Sequence, residues 1–189
     1  MLWEIQPNTN RTNVIQTQNF LDWRARNRSF EAIAAMQQSP MNLTGIGEPI
    51  QVTGLRVTAD FFRVMGVSPL MGRVIAPEED VRGNPGTVVL SYGLFNQRYG
   101  GHSEVLGQKI IVNGVPLEVV GVMPQDFAFP NLKADLYTPL QLPNSAPNDG
   151  RNFRAVGRLR AGVSIANAQA EMKAIATQTS IERPAMNTN

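Results

Sequence analysis

Lys109-Ile110-Ile111-Val112-Asn113-Gly114-Val115-Pro116-Leu117-Glu118-Val119-Val120-Gly121-Val122 is the stretch that decides the fold. Two runs rich in β-branched residues flank Asn113-Gly114. A two-residue loop of that composition takes the type I′ turn, whose two central residues both need positive φ. The stretch predicts an antiparallel hairpin, closed by Pro124, which cannot donate to a ladder. Upstream, Thr87–Leu90 reads as a short buried strand. Ser91 reads as the cap of a helix over Tyr92–Tyr99 that Gly100-Gly101 stops. Downstream, residues 136–140 read as a further strand. Together these make a strand-rich block in the middle of the chain.

Working outward, the two chain ends are mixed in character. Residues 2–5 suggest a short strand ended by Pro7, with polar loop residues to about Thr12. Thr17 is the expected cap of a helix carrying Phe20, Leu21 and Trp23, with Arg24 and Arg26 solvated. Ser29 is read as the cap of a second short helix holding Phe30, Ile33 and Ala34, and a strand follows near residues 36–43. Gly45 to Pro49 forms a turn, and Ile50–Val57 returns as a strand in which Gly54 marks a bulge or a close backbone approach. Thr58 is the expected cap of a helix over residues 59–65, with Asp60 in its positive first turn and Gly66 as its stop. The acidic Pro77-Glu78-Glu79-Asp80 reads as a polar turn or one helical turn. Residues 144–150 (Asn-Ser-Ala-Pro-Asn-Asp-Gly) read as a loop or linker. A strand over residues 153–159 follows, and Ser164 caps a helix from Ile165 to about Thr179. Its stripe Ile165, Ala168, Met172, Ile175 and Ala176 repeats at helical spacing. The alternation of helices with antiparallel strand runs implies an α+β fold, and residues 183–189 read as a disordered tail.

Composition removes several functions. The chain has 189 residues, 42% of them hydrophobic, which is enough for a packed core. Its formal net charge is only +2, and Arg24, Arg26 and Arg28 are interrupted by Ala25 and Asn27. The sequence shows no basic face of the kind that displaces counterions from nucleic acid. It contains no cysteine, which excludes disulfides, thiolate metal sites and thiol nucleophiles. The apolar run from Val119 to Met123 is far short of the ~20 residues of a membrane span, and no signal-peptide pattern follows Met1. The expectation is a soluble protein, or a soluble piece of a larger one.

Catalytic chemistry has little to work with. No glycine-rich run ends in Lys followed by Ser or Thr, and there is no Gly-x-Ser-x-Gly elbow. His102 is the sole histidine and sits between Gly101 and Ser103, so it reads as an exposed loop residue rather than a general base. A zinc site with several His or Cys ligands is excluded. Glu78-Glu79-Asp80 lacks the alternating spacing of a calcium loop and reads as an acidic turn. Asp126 and Asp135 are a candidate pair of glycosidase carboxylates, and nothing beyond their presence supports that role. No catalytic, cofactor-binding or metal-ligating residue is assigned. Of the adjacent Phe61 and Phe62, one is expected in the core and the other toward a partner or a second lobe. Phe127 and Phe129, between Pro124 and Pro130, either pin a loop to the core or form an apolar tip for partner contact. Met36, Met41, Met65, Met71 and Met123 read as core gap-fillers.

An ordered series of short motifs carries a family resemblance. It begins with Phe20-Leu21-Asp22-Trp23-Arg24 and Ser29-Phe30-Glu31-Ala32-Ile33-Ala34-Ala35. Gly47-Glu48-Pro49 and Val57-Thr58-Ala59-Asp60-Phe61-Phe62-Arg63-Val64-Met65-Gly66-Val67 follow. Pro69-Leu70-Met71-Gly72-Arg73, Val89-Leu90-Ser91-Tyr92 and Tyr99-Gly100-Gly101 come next. The series continues through Val112-Asn113-Gly114, Val119-Val120-Gly121-Val122-Met123-Pro124 and Phe127-Ala128-Phe129-Pro130. It ends at Gly157-Arg158-Leu159-Arg160-Ala161-Gly162-Val163 and Ala168-Gln169-Ala170-Glu171-Met172. The succession resembles the MacB-like periplasmic core domain of an ABC-transporter permease, of the acidobacterial type within the FtsX/MacB superfamily.

That resemblance implies two lobes. A porter-like α/β lobe is built from residues 1–72 and 149–182, and a strand-rich lobe, residues 73–148, is inserted into it. The family places this domain on the periplasmic side of the bacterial inner membrane, strung between membrane helices, with no cofactor and no catalytic residues of its own. Its implied work is mechanotransmission in transport or efflux, driven by a cytoplasmic ATPase subunit or domain acting through the membrane region. Implied partners are a periplasmic adaptor or hydrolase and a second permease copy, and not nucleic acid. Both chain ends would then lie on one face of one lobe. The alternative is a periplasmic small-molecule or lipid-binding module with an inter-lobe cleft, which needs an apolar pocket with a few inward polar groups. An enzyme using carboxylates ranks behind both.

Overall fold

One mixed sheet organises the molecule. The computed structural model describes residues 1–2, 4–5, 12–13, 15–45, 47–84, 86–129, 132–143 and 153–183. In chain order the elements are β1 (Glu4–Ile5), β2 (Thr12–Asn13), α1 (Thr17–Arg26), β3 (Phe30–Thr44), β4 (Ile50–Val57), α2 (Phe61–Met65) and β5 (Met71–Gly72). Next come β6 (Thr87–Leu90), α3 (Tyr92–Tyr99), β7 (Lys109–Val112), β8 (Val115–Val122) and β9 (Leu136–Pro139). The chain closes with β10 (Arg154–Leu159) and α4 (Ile165–Glu182). The fold is α+β. The sheet runs β10-β3-β4-β9-β6-β8-β5, with β7 pairing both β3 and β8, while β1 and β2 form a separate ribbon.

The Asn113-Gly114 turn forms as its composition requires, with φ of 51° and 80°. Asn113 does more than turn the chain. Its backbone amide donates to the Asn42 carbonyl at 2.8 Å, and its side-chain oxygen accepts from the Asn42 amide at 2.8 Å. The hairpin tip is thereby fastened to β3.

Strand alternation divides the core. On one face, Val156, Ala34, Met36, Leu55, Val57, Tyr137, Val89 and Val120 form one cluster under α2. On the other face there are two clusters. Ile33, Ala35 and Ala155 pack under α1 and α4 through Phe20, Trp23, Ala168 and Ile175. Met41, Leu43, Val52, Val88, Leu90, Val119 and Leu136 pack under α3 through Leu94 and Phe95. β3 is long enough to serve both, its first half in one cluster and its second half in the other. β8 changes phase midway: Val88 pairs with Val119 but Val89 pairs with Gly121, so Val120 is an extra, bulged residue.

Three local expectations are corrected. The segment after Ser29 is strand, not helix. Its Ala-rich run suits a helix in isolation, but α2 covers one face of it and α1 and α4 the other, and small residues allow that double burial. Thr58 does not cap α2. Its hydroxyl accepts from the Ala35 amide at 3.0 Å and extends the sheet ladder, and Asp60 occupies the cap position without a side-chain hydrogen bond. Gln16, not Thr17, precedes α1, and Thr17 is its first residue. Gly54 is a close-approach glycine, not a bulge. The β3–β4 register is unbroken through it, and a Cβ there would run into the thioether of Met41.

Elsewhere the elements match. Ser91 and Ser164 cap α3 and α4 by accepting from Leu94 and Asn167, both at 3.1 Å. Gly66 closes α2 in the left-handed conformation, with φ of 66°. The loop after Pro7 at residues 6–11, the 144–150 linker and the tail at 184–189 lie outside the described residues.

Candidate partner-contact surface

Phe127 and Phe129 lie on the turn that leaves β8, half-buried against the α2 side of the sheet. Phe127 stands 5.8 Å from Tyr137 and 6.5 Å from Phe62, and Phe129 stands 6.2 Å from Phe61, as ring-centroid distances. Phe61 and Phe62 meet edge to face at 5.4 Å, and both are fully buried. The expectation that one of them points away from the core is therefore corrected. α2 is sandwiched between the sheet and the Phe127–Phe129 turn, so neighbouring positions on it both meet apolar surface. Edge-to-face and tilted aromatic pairs of this kind add about 0.5–1.5 kcal/mol each beyond their buried area. Burial pushes the Tyr137 phenol up, so it stays protonated. The turn thus presents the outer edges of two phenylalanines on an anchored base.

The acidic turn has a structural occupation. The Glu79 carboxylate takes two hydrogen bonds from the Arg73 guanidinium, both at 2.8 Å, and one from the Ala76 amide at 2.8 Å. Arg73 holds its pKa below the usual carboxylate range. The half-buried Asp80 carboxylate accepts from two backbone amides, Ala59 at 3.0 Å and Gln141 at 2.8 Å. Burial nonetheless pushes its pKa up. Among the described residues, no group of three or more His, Asp or Glu side chains is placed to hold a metal.

Asp126 is on an exposed turn, whereas the Asp135 carboxylate accepts from the Thr53 amide at 2.7 Å. The two have separate surroundings. His102 is exposed at the end of α3, and its backbone amide donates to the Tyr99 carbonyl.

Two clefts are present among the described residues. One, about 150 Å³, is lined by Arg24, Asn27, Arg63 and Arg160 with Glu31 and Asp60. In it Arg63 lies 3.6 Å from both carboxylates. The other, about 410 Å³, is lined by Gln37, Arg56, Arg82 and Gln141 alongside Leu140, Leu142 and Phe153. Neither has the mostly apolar lining of a small-molecule site.

Sequence reasoning missed the tethering roles of Asp80, Asp135 and Thr58. Each acts on a backbone amide far away in the chain, so spacing carries no signal of it. Asn113 was visible as a turn residue but not as a grip on β3.

Segments near both chain ends join the same cluster. The Leu2 amide donates to the Ala155 carbonyl at 2.9 Å on β10. α4 packs against α1, where Arg26 pairs with Glu182 at 2.6 Å and Arg183 pairs with Asp22. No helix among the described residues is long and apolar enough to cross a membrane.

The molecule is thus a mixed sheet with helices on both faces, in which segments near both chain ends share one cluster. The chain belongs to the MacB-like periplasmic core domain family, whose model matches residues 1–175. In structure it is similar to the periplasmic region of MacB from Actinobacillus actinomycetemcomitans, with a TM-score of 0.64 and 18% identity over 93% of this chain and 76% of that one. It is likewise similar to the extracellular domain of the noncanonic ABC-type transporter YknZ from Gram-positive bacteria. There the TM-score is 0.64 and the identity 16%, over 90% of this chain and 84% of that one. At these identities the likeness carries the fold. No curated protein matches the chain by sequence.

Proposed function

We propose that this domain stands on the periplasmic side of the bacterial inner membrane and transmits ATP-driven movement of a MacB-like permease to substrate or partner proteins, without catalysis of its own. The observation that carries the reading is the family match over residues 1–175, joined to the sharing of one cluster by segments near both chain ends. A pull arriving through either end enters the same packed layer of α1, α4 and β10. The drive comes from a cytoplasmic ATPase subunit or domain acting through the membrane region. A periplasmic adaptor or hydrolase, or a second permease copy, is the receiving side, and the half-exposed Phe127 and Phe129 are the contact offered to it.

The division into residues 1–72 with 149–182 and an inserted block 73–148 is part of this proposal. Its support is that residues of α1, α4 and β10 share one cluster while residues of α3, β6 and β8 share another, to which β3 and β4 also contribute Met41, Leu43 and Val52.

The test is made in the full-length permease, reconstituted with its ATPase. Replacing residues 1–182 by a short flexible linker is expected to abolish transport while ATP hydrolysis continues. Transport at the original rate without the domain would overturn the proposal.

A further inference from the structure

We infer that Asp80 and Asp135 pin the inserted block to the rest of the domain, so that the two blocks move as one rigid lever rather than opening against each other. The inference rests on the two-block division proposed above and deepens it.

The blocks meet along three ladders: the parallel β4–β9 pairing of Gly54–Val57 with Leu136–Pro139, the β3–β7 pairing of Leu43 and Thr44 with Val112 and Ile111, and the β5–β8 pairing of Met71 and Gly72 with Val122 and Gly121. The β4–β9 ladder is the longest of the three, and a short ladder between packed bodies is the kind of joint about which they shear. Here a carboxylate stands at each end of it. Just before the ladder, the Thr53 amide donates to Asp135 at 2.7 Å, and the Asp135 amide donates to the Thr53 carbonyl at 2.8 Å. Just after it, the Ala59 amide donates to Asp80 at 3.0 Å.

The second oxygen of Asp80 accepts from the Gln141 amide, at the exit of β9. Gln141 has a φ of 51°, a conformation that side chains other than glycine, Asn and Asp seldom keep without outside support. Its own side-chain amide donates to the Glu79 carbonyl at 2.9 Å and to the Asn84 carbonyl at 3.3 Å. The acidic turn, the start of α2 and the end of β9 are therefore held at one point. Removing the carboxylate leaves two partly covered amides without an acceptor and Gln141 without the contact that fixes its backbone.

The chain itself serves for the test, since it contains no cysteine to interfere with labelling. Spin labels go on Lys173→Cys in α4 and Gln97→Cys in α3, both exposed positions on different blocks. The labelled parent is expected to give one narrow distance distribution. The added pair Asp80→Ala and Asp135→Ala is expected to broaden it while amide protection persists within each block. Asp80→Asn with Asp135→Asn keeps one acceptor per site and serves if the alanine pair does not fold; it is expected to broaden the distribution less. Glu79→Gln, in the same turn but bonded within its own block, is expected to leave it narrow.

A broad distribution in the parent overturns the inference. So does an unchanged distribution in the alanine pair whose Ala59 and Thr53 amides exchange faster. Joint loss of protection in both blocks sinks the two-block division and the pins with it. None of these outcomes touches the transport proposal, which is tested in the intact permease.

Discussion

On the face under α2, apolar side chains from the chain ends and from the inserted block interdigitate in one cluster. On the face under α1, α4 and α3 they form two. The same strands supply both faces, so the difference lies in what covers them. α2 is a five-residue helix set over the middle of the sheet, and the Phe127–Phe129 turn closes over it. α4 is eighteen residues long and lies with α1 over β3 and β10, with Leu140 beyond β9 in the same cluster. The comparison teaches that a sheet can be divided on one side and continuous on the other. Mechanical independence of the two blocks is then decided by the continuous side and by the tethers along the boundary.

The largest expected effect comes from the continuous face. Phe61→Ala removes a fully buried ring that touches Phe62, Phe129 and Tyr137, and it should cost about 3–5 kcal/mol. Denaturant unfolding should still show one transition, moved to lower denaturant for both blocks together. Two separated transitions would break the comparison. On the divided face, Ile175→Ala in α4 should cost about 2 kcal/mol. Hydrogen exchange should rise in α1 and α4 and stay unchanged in β6 and β8; equal loss of protection in all four would show that the divided face is not divided.

The smallest effect is electrostatic and confined to the inserted block. Arg73 holds the Glu79 pKa below its ordinary value, so the stabilisation is present above the ordinary carboxylate range and lost as the pH falls through the lowered value. Arg73 is half-exposed, so the pair is worth less than about 1 kcal/mol. The stability gap between wild type and Glu79→Gln should be widest near neutral pH and close on acidification. A gap that widens in acid would contradict the assignment.

What was legible in the sequence follows the range of the forces involved. The Asn113-Gly114 hairpin, the Ser91 and Ser164 caps and the Gly66 stop are decided within a few residues, and each forms where local chemistry places it. The start of β3 is decided by helices from a few to well over a hundred residues away, and its local preference for helix is overridden by burial on both faces. Phe127 and Phe129 could be named as a pair, but their aromatic partners on α2 and β9 could not. Asp80 and Asp135 were visible only as carboxylates; that their ligands are peptide N–H groups is a property of the assembled chain.

The bulge in β8 carries a consequence of its own. Alternation in a strand is a two-letter code, and one surplus residue acts on it as a frameshift. Before Val120, odd-numbered Leu117 and Val119 point toward α3; after it, even-numbered Val122 does, and Met123 joins the aromatic cluster. Deleting Val120 would let the strand alternate regularly from Val119 through Gly121 to Val122, so Val122 and Met123 would keep their layers and only the bulge would be lost. At this point in the chain residue count, rather than residue identity, is the inherited information, and a related sequence one residue shorter here needs no bulge and keeps the same pattern beyond it.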